Sequence, residues 1–353
     1  IVSGALALAE QFDAEGPTFV DACARAYELC VRTERAIFAM KDRMNAAIPW
    51  LVRDPHSTWT TIGPAVAGAL CADVEGERLE ETFRVAANLA VVSMHDPYRE
   101  GAPSRNFTAG FSAQAGVNAA LVGAAGLQGS RAAMREVYDP LREMHPDTFD
   151  RSFADLGEDW EVERNYFKLT PSCRYTHPAL GALQSMETPV DPATVERVDV
   201  YTFQNAVDLG YADYGNATSA KFSIPYVLAR YLSTGDLWID AFDGASLDDP
   251  DVRSLAKRVV LHDAPEYEES FPEHWSARVE VALSDGETLT AECVDPPGDY
   301  RRFPGREPLV EKFERLLATR FDEREASAAL EALLDARNRK VRALGDALRT
   351  DAG

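Results

Sequence analysis

Four side chains that could bind an anion or move a proton lie within ten positions, in the stretch NYFKLTPSCRYTHPALGAL (165–183). Lys168, Arg174 and His177 are cationic or can become so, and Cys173 adds a thiol. The apolar run that follows predicts a helix, whose N-terminus favours an anion because its first amide groups have no partner within the helix. The pattern therefore predicts a carboxylate site. The alternative is an ordinary ion pair for Arg174, a solvated Lys168 and a buried Cys173.

Further candidates lie in three other segments. His56 precedes a glycine-proline turn, where a histidine either makes a hydrogen bond at a helix entry or contacts a ligand. Arg105 stands on a predicted loop before a helix rich in alanine and glycine. Lys221 and Tyr226 share one predicted helix over 220–232, and the apolar neighbours of Tyr226 favour a core position for it.

The composition excludes several classes of function. With 36 basic and 58 acidic residues the formal net charge is -22, which argues against nucleic acid and anionic membrane surfaces as partners. No apolar run approaches the roughly 18 residues that would span a membrane. The five cysteines are widely spaced, so we predict reduced thiols, no metal site and a cytoplasmic protein. The scarcity of lysine is typical of an acidic, high-salt proteome or of a GC-rich genome.

The spacing of apolar residues follows two different patterns along the chain. From Ile1 to about Phe149, apolar residues recur three and four positions apart, which indicates helices. Three later segments alternate apolar and polar residues as strands do: TVERVDVYTF (194–203), KRVVLHD (257–263) and SARVEVALSDGETLTAECV (276–294). The last contains Asp285-Gly286, which predicts a hairpin because both residues tolerate positive φ.

Helical spacing returns after Pro304, and we expect this tail to rejoin the first region. The sequence therefore predicts a mainly α protein: a large all-helical domain formed by 1–160 and 300–353, with a smaller α+β domain over 161–299 inserted into it. The first helix has no cap at Ile1, so we expect the natural sequence to continue upstream.

The order of six segments resembles the MmgE/PrpD family, which includes 2-methylcitrate dehydratases, cis-aconitate decarboxylases and an iminodisuccinate epimerase. The six segments are SGALALAEQFDAEGPTFVDACARAYELCVR, HSTWTTIGPAVAGALCA, GAPSRNFTAGFSAQAGVNAALVGAAGLQG, FKLTPSCRYTHPALGAL, TSAKFSIPYVLARYLSTG and DGETLTAECVDPPGD. The resemblance covers essentially the whole chain. It implies that the α+β domain is a lid over a cleft, that the protein is a homodimer, and that it needs neither a metal nor an organic cofactor.

The resemblance also implies roles for particular residues. His56 matches the cleft histidine of the family, although its spacing to the following glycine is one residue longer. Lys168 opens the lid motif, and His177 is the preferred acid/base candidate after it. Tyr226 matches a tyrosine of the serine-tyrosine helix. Substrate contacts are implied for four residues: Arg105, Cys173, Arg174 and Lys221.

Two departures from the family pattern are informative. Arg105 replaces a lysine, so it can clamp a carboxylate but cannot act as a base. The acidic and histidine motif of the family would precede Ile1 and is absent from this chain.

The resemblance implies a lyase, and our leading hypothesis is a hydro-lyase of the 2-methylcitrate dehydratase type that acts on a small di- or tricarboxylate. A decarboxylase or an epimerase is the alternative, since the same cations would serve it. A catalytically silent fragment or binding paralogue is the hypothesis from another class.

Overall fold

The computed structural model describes residues 1–47, 53–54, 56–90, 93–94, 101–133, 147–210 and 214–349. The chain forms two compact units. The helical unit comprises Ile1–His95, Asn106–Glu163 and Val310–Gly353, and the mixed unit comprises Asp96–Arg105 and Arg164–Leu309. The prediction of a mainly α protein is confirmed at this level. The role of the α+β part as a lid stays a prediction.

Helices dominate the described part of the helical unit. They are α1 (Val2–Gln11), α2 (Gly16–Ala47), α3 (His56–Cys71), α4 (Gly76–Leu89), α5 (Arg105–Ala124), α6 (Thr148–Ser152), and, after the mixed unit, α14 (Arg306–Leu317), α15 (Glu323–Leu334) and α16 (Val341–Ala347). The first residue of α5 and the first turn of α14 belong to the mixed unit. Among these described residues no helix has the length and apolar composition needed to cross a membrane.

Small residues let these helices approach closely. On α2, Phe19, Ala22 and Ala26 are buried in the core, as the apolar spacing of the sequence predicts. A Cβ atom on Gly116 of α5 would lie 2.3 Å from the carbonyl oxygen of Thr61 on α3, so only glycine fits there. The alanine- and glycine-rich composition of α5 thus reflects helix-on-helix packing.

The C-terminal segment packs on the first two helices of the unit. The amide of Gly16 donates to the carbonyl oxygen of Arg339 at 2.8 Å, and the amide of Val341 donates to that of Ala14 at 3.1 Å. A Cβ atom on Gly16 would lie 1.9 Å from the carbonyl oxygen of Ala336. Glycine at position 16 is therefore required by the close approach of the tail.

A buried arginine fixes the segment that leaves the helical unit. Arg32 is 1% exposed, and its guanidinium contacts Glu28 at 2.6 Å and Asp155 at 2.5 Å. It also donates to the carbonyl oxygen of Asp159 at 2.9 Å. The other oxygen of Glu28 accepts from the amide of Glu161 at 2.7 Å. These bonds hold residues 155–161 against the middle of α2.

The helical unit is not entirely helical, which corrects the prediction of an all-helical domain. Two strands of two residues each, β1 (Arg53–Asp54) and β2 (Ser93–Met94), pair antiparallel. A pair this short has no alternation to detect in the sequence, because the strand signal needs several residues of period two.

The mixed unit contains a four-stranded sheet with the order β4-β3-β5-β6. Its strands are β3 (Val195–Thr202), β4 (Val259–Asp263), β5 (Ala277–Leu283) and β6 (Thr288–Cys293). β3 runs parallel to β4, and the other neighbours are antiparallel. The predicted hairpin joins β5 to β6, with Gly286 at φ 89°. All three predicted strand segments are confirmed.

Short helices alternate with these strands along the mixed unit. They are α7 (His177–Gln184), α8 (Gln204–Leu209), α9 (Ala217–Phe222), α10 (Ile224–Thr234), α11 (Gly244–Leu247), α12 (Pro250–Ala256) and α13 (Pro265–Ser270). α7 packs on β5 and β6, and α10 packs on α7 and β4. The covered face is apolar, with Val198, Val200 and Val279 fully buried. The outward face carries polar residues, which is the expected alternation of a half-buried sheet.

The predicted helix over 220–232 is two helices, which corrects that prediction. α9 ends at Phe222 and α10 begins at Ile224, because the hydroxyl of Ser223 accepts from the amide of Tyr226 at 3.2 Å and caps the second helix. Pro225 in the first turn of α10 is compatible with a helix start and not with a helix interior.

The buried position of Arg32 predicts a large effect on stability. Arg32→Ala would leave the carboxylates of Glu28 and Asp155 without their cation, which should lower the free energy of unfolding by about 3 kcal/mol or more. Chemical denaturation followed by circular dichroism measures this. Arg337→Ala is the matched control, since Arg337 pairs with Asp21 on the surface and such pairs contribute little. Equal losses in the two variants would contradict a structural role for the buried arginine.

Candidate active site

Four of the predicted site residues lie on one loop of the mixed unit, residues 166–177, which we call the Lys168 loop. Two backbone bonds anchor it. The amide of Phe167 donates to the carbonyl oxygen of Gly298 at 2.8 Å, and the amide of Cys173 donates to that of Lys221 at 2.8 Å. The loop ends in a 3₁₀ turn at Arg174–Thr176 and continues directly into α7.

The first anchor depends on a glycine. Gly298 has a φ of +103°, and a Cβ atom on it would lie 2.0 Å from the carbonyl oxygen of Phe167. A side chain at this position would therefore meet both the strain of the left-handed region and the backbone of the Lys168 loop.

His177 is buried at the start of α7 and contacts two hydroxyl groups of the loop. Its side chain is 5% exposed. Nδ1 lies in hydrogen-bonding contact with the hydroxyl of Tyr166, and Nε2 is 3.2 Å from Oγ1 of Thr170. Burial raises the pKa of the Tyr166 phenol. Each hydroxyl can donate or accept, so the tautomer of the ring sets the direction of the two hydrogen bonds.

The guanidinium of Arg174 contacts other side chains of the protein. Its guanidinium donates to Oδ2 of Asp299 at 3.1 Å, and that carboxylate is 2% exposed. The same guanidinium lies 4.4 Å from the ring centroid of Tyr166 and 3.8 Å from that of Trp275. This geometry combines an ion pair with cation–π contacts on two rings. It matches the alternative that the sequence left open, an ordinary ion pair.

Lys168 is the exposed cation of the loop. Its ammonium donates to the carbonyl oxygen of Ser172 at 3.1 Å. The hydroxyls of Ser172 and Thr176 are hydrogen bonded to each other at 2.7 Å, which fixes the chain beyond that carbonyl. Cys173, between them, is half-buried.

Two other predicted binding residues belong to segments that meet at α9. Lys221 lies in the last turn of this helix, and its Nζ is 5.5 Å from the ring centroid of Phe242. Gly101 packs directly on Ser219 of the same helix, since a Cβ atom there would lie 2.5 Å from the Cβ of Ser219. This contact brings the segment that leads to Arg105 beside α9, although the structure describes only the backbone of Arg105.

Tyr226 is a core residue. Its side chain has no exposed surface, its hydroxyl donates to the carbonyl oxygen of Ala241, and its ring contacts Tyr214 and Phe242. Burial raises the pKa of this phenol to about 12. The geometry agrees with the core position that the apolar pattern favours, and a catalytic role for Tyr226 stays a prediction.

His56 belongs to the helical unit. It is the first residue of α3, half-buried, with its ring centroid 4.6 Å from that of Trp59. Its carbonyl oxygen accepts from the hydroxyl of Thr60 at 2.8 Å. This agrees with a histidine at a helix entry, and its catalytic role stays a prediction.

The predicted cluster of cations is present on this loop, but its members differ in their partners and in their exposure. All three cationic groups of this cluster have partners within the protein: Arg174 pairs with Asp299, His177 contacts two hydroxyls, and Lys168 donates to the carbonyl oxygen of Ser172. Lys168 is the member of the group whose side chain is exposed. Among the described residues, no three His, Cys, Asp or Glu side chains come together as metal ligands would.

Sequence reasoning missed three residues of this site. Tyr166 and Thr170 lie two positions before and two positions after Lys168, and Asp299 follows Gly298 in the segment PPGD. The symmetric spacing of two hydroxyl residues about the lysine was the available signal. Asp299 gave none, because its pairing with Arg174 joins positions 125 residues apart.

The anchor at Gly298 predicts a difference between two glycines of the mixed unit. Gly298→Ala should displace the Lys168 loop and lower the melting temperature markedly. Gly305→Ala should cost only the left-handed strain of about 1–2 kcal/mol, since Gly305 has a φ of +86° with open space around it. Thermal unfolding and amide exchange at Phe167 measure the two effects. A Phe167 amide that stays protected in Gly298→Ala would refute the anchor.

Comparison with known proteins identifies the family to which the chain belongs. The description "MmgE/PrpD N-terminal domain" matches residues 1–144, and "MmgE/PrpD C-terminal domain" matches residues 170–336. Cis-aconitate decarboxylase from Homo sapiens is 22% identical over 268 residues, which cover 73% of this chain and 55% of that protein. Cis-aconitate decarboxylase from Aspergillus terreus is 21% identical over 285 residues, which cover 73% of this chain and 57% of that protein.

The chain thus spans a little over half the length of these curated relatives. The two family matches together cover most of the sequence, one on each side of residues 145–169. This chain belongs to the MmgE/PrpD family.

Proposed function

We propose that the protein is a lyase that acts on a small di- or tricarboxylate and binds a carboxylate of the substrate through Lys168. The observation that carries this proposal is the exposed ammonium of Lys168 on a loop that is anchored by its backbone at Phe167 and at Cys173. Membership of the MmgE/PrpD family supports the reaction class.

The chemistry of such a substrate explains why a fixed cation is useful. When a bond breaks at the carbon next to a carboxylate, negative charge spreads onto that carboxylate. A positioned ammonium stabilises the developing charge, and removal of one such donor commonly costs about two to three orders of magnitude in rate. Lys221 is the second cation of this proposal, because its backbone is bonded to the Lys168 loop at Cys173.

Two reactions fit this description. Dehydration of the 2-methylcitrate type is the leading hypothesis from the sequence. Decarboxylation is favoured by a specific observation, since both curated relatives are cis-aconitate decarboxylases. The proposal needs neither a metal nor an organic cofactor, because the charge is stabilised by side chains.

The reaction is tested by incubating the purified chain with 2-methylcitrate, cis-aconitate and iminodisuccinate in turn. Dehydration should give an unsaturated acid, measured by ultraviolet absorbance, and decarboxylation should release carbon dioxide. Uptake of solvent deuterium without net loss of substrate would indicate epimerisation and overturn the lyase proposal. If none of the three acids reacts, the result favours the competing hypothesis of a silent fragment or a binding paralogue.

The role of Lys168 predicts a selective loss of activity. Lys168→Ala should lower kcat/KM by about 100-fold or more, with little change in the melting temperature, because the side chain is exposed. Lys257→Ala is the matched control, an exposed lysine of the same unit outside the loop. Full turnover in Lys168→Ala would remove this lysine from the site.

A further inference from the structure

The imidazole of His177 contacts the chain on both sides of Lys168, the residue on which the proposed function rests. His177 contacts Tyr166 through Nδ1 and Thr170 through Nε2, and these two residues stand at equal distances in sequence on either side of Lys168. The chain between the two contacts is five residues long, counted inclusively from Tyr166 to Thr170. A short segment fixed at both ends has little freedom to move its central residue.

Tyr166, one of the two residues that contact the imidazole, is itself held in place by charged groups. Tyr166 lies against the guanidinium of Arg174, which is fixed by the buried carboxylate of Asp299. Asp299 also accepts from the amide of Arg301 at 3.0 Å, so its orientation is set by the backbone as well. The buried charges thus act on Lys168 through Tyr166 and His177.

This arrangement does not suit a proton-transfer role for His177. A general acid or base has to come within about 2.6–3.2 Å of the substrate atom that gains or loses the proton. The side chain of His177 is 5% exposed, and both ring nitrogens already contact hydroxyl groups of the protein. A substrate would have to displace one of these contacts to reach the ring.

We propose that His177 is a positioning residue that holds the Lys168 ammonium in place by binding the chain on both sides of it, with Asp299, Arg174 and Tyr166 fixing the imidazole. This inference deepens the proposed function and rests on it, since it assigns a task to His177 within the same site. It replaces the acid/base role that the family resemblance implies for His177.

The test removes one hydroxyl at a time and leaves the imidazole in the protein, because His177→Ala could unfold the loop for unrelated reasons. Thr170→Val keeps the shape of the side chain but loses the contact to Nε2, whereas Thr170→Ser keeps the hydroxyl. Tyr166→Phe removes the contact to Nδ1. Tyr267→Phe is its matched control, since this buried phenol of the same unit donates to Glu292 and lies outside the loop.

The first readout needs no substrate. Trace acetylation followed by peptide mass spectrometry gives the reactivity of Lys168 relative to the five other lysines of the chain. In Thr170→Val and Tyr166→Phe we expect this relative reactivity to rise about fivefold, the factor for one ordinary hydrogen bond, because the ammonium loses its fixed contact with Ser172. Thr170→Ser and Tyr267→Phe should match the wild type. Unchanged reactivity of Lys168 in both hydroxyl deletions would overturn the proposal.

The second readout uses whichever acid the protein turns over. A positioning role predicts that Thr170→Val raises KM or lowers kcat while both limbs of the pH profile remain, and that Thr170→Ser restores the wild-type values. Loss of one limb of the profile in His177→Gln would show that His177 moves a proton, against the proposal. If no acid is turned over, the proposed function fails, and the acetylation result still decides whether His177 holds Lys168.

Discussion

The buried carboxylate of Asp299 imposes the constraint on which the candidate site depends. A carboxylate that is 2% exposed needs a cation and hydrogen-bond donors, because its desolvation would otherwise cost several kcal/mol. Arg174 supplies the cation, and the amide of Arg301 supplies a donor. The position of Arg174 in turn determines where the ring of Tyr166 packs. The sequence suggests a cluster of cations that bind a ligand. In the structure, the guanidinium of Arg174 neutralises the buried carboxylate of Asp299.

The same principle operates in the helical unit with the signs reversed. There a buried arginine, Arg32, collects carboxylates and carbonyl oxygens from the segment around residues 155–161. In an acidic chain of net charge -22, a buried cation has many potential partners. The partners of Arg32 include Asp155 and Asp159, and these contacts hold that segment against α2. In both units a buried charged side chain and its partners thus fix an irregular segment, where no ladder of backbone hydrogen bonds could do so.

Irregular segments of this kind are where a binding residue can be both exposed and well placed. The Lys168 loop has backbone anchors at Phe167 and Cys173, a glycine that admits close contact at Gly298, and hydroxyl contacts to a buried imidazole. Each of these restrains the loop without covering the lysine. A cation that is held in this way loses little conformational entropy when it meets an anionic ligand, which is the basis of preorganised binding.

The sequence by itself determined the elements and the family. Period-two alternation located β3, β4 and the β5–β6 hairpin, and the helical spacing identified the regions on either side of them, because these signals depend only on local side-chain order. It also identified Lys168 as a candidate, since lysine is scarce in this chain. It could not locate β1 and β2, which are too short to show a period, or the break at Ser223, where a cap overrides continuous apolar spacing. The tertiary structure alone decided which partner each cationic group has and which of them is exposed. The pairing of Arg174 with Asp299 and the two contacts of His177 depend on how the chain packs, whereas the burial of Tyr226 was already favoured by its apolar neighbours in the sequence.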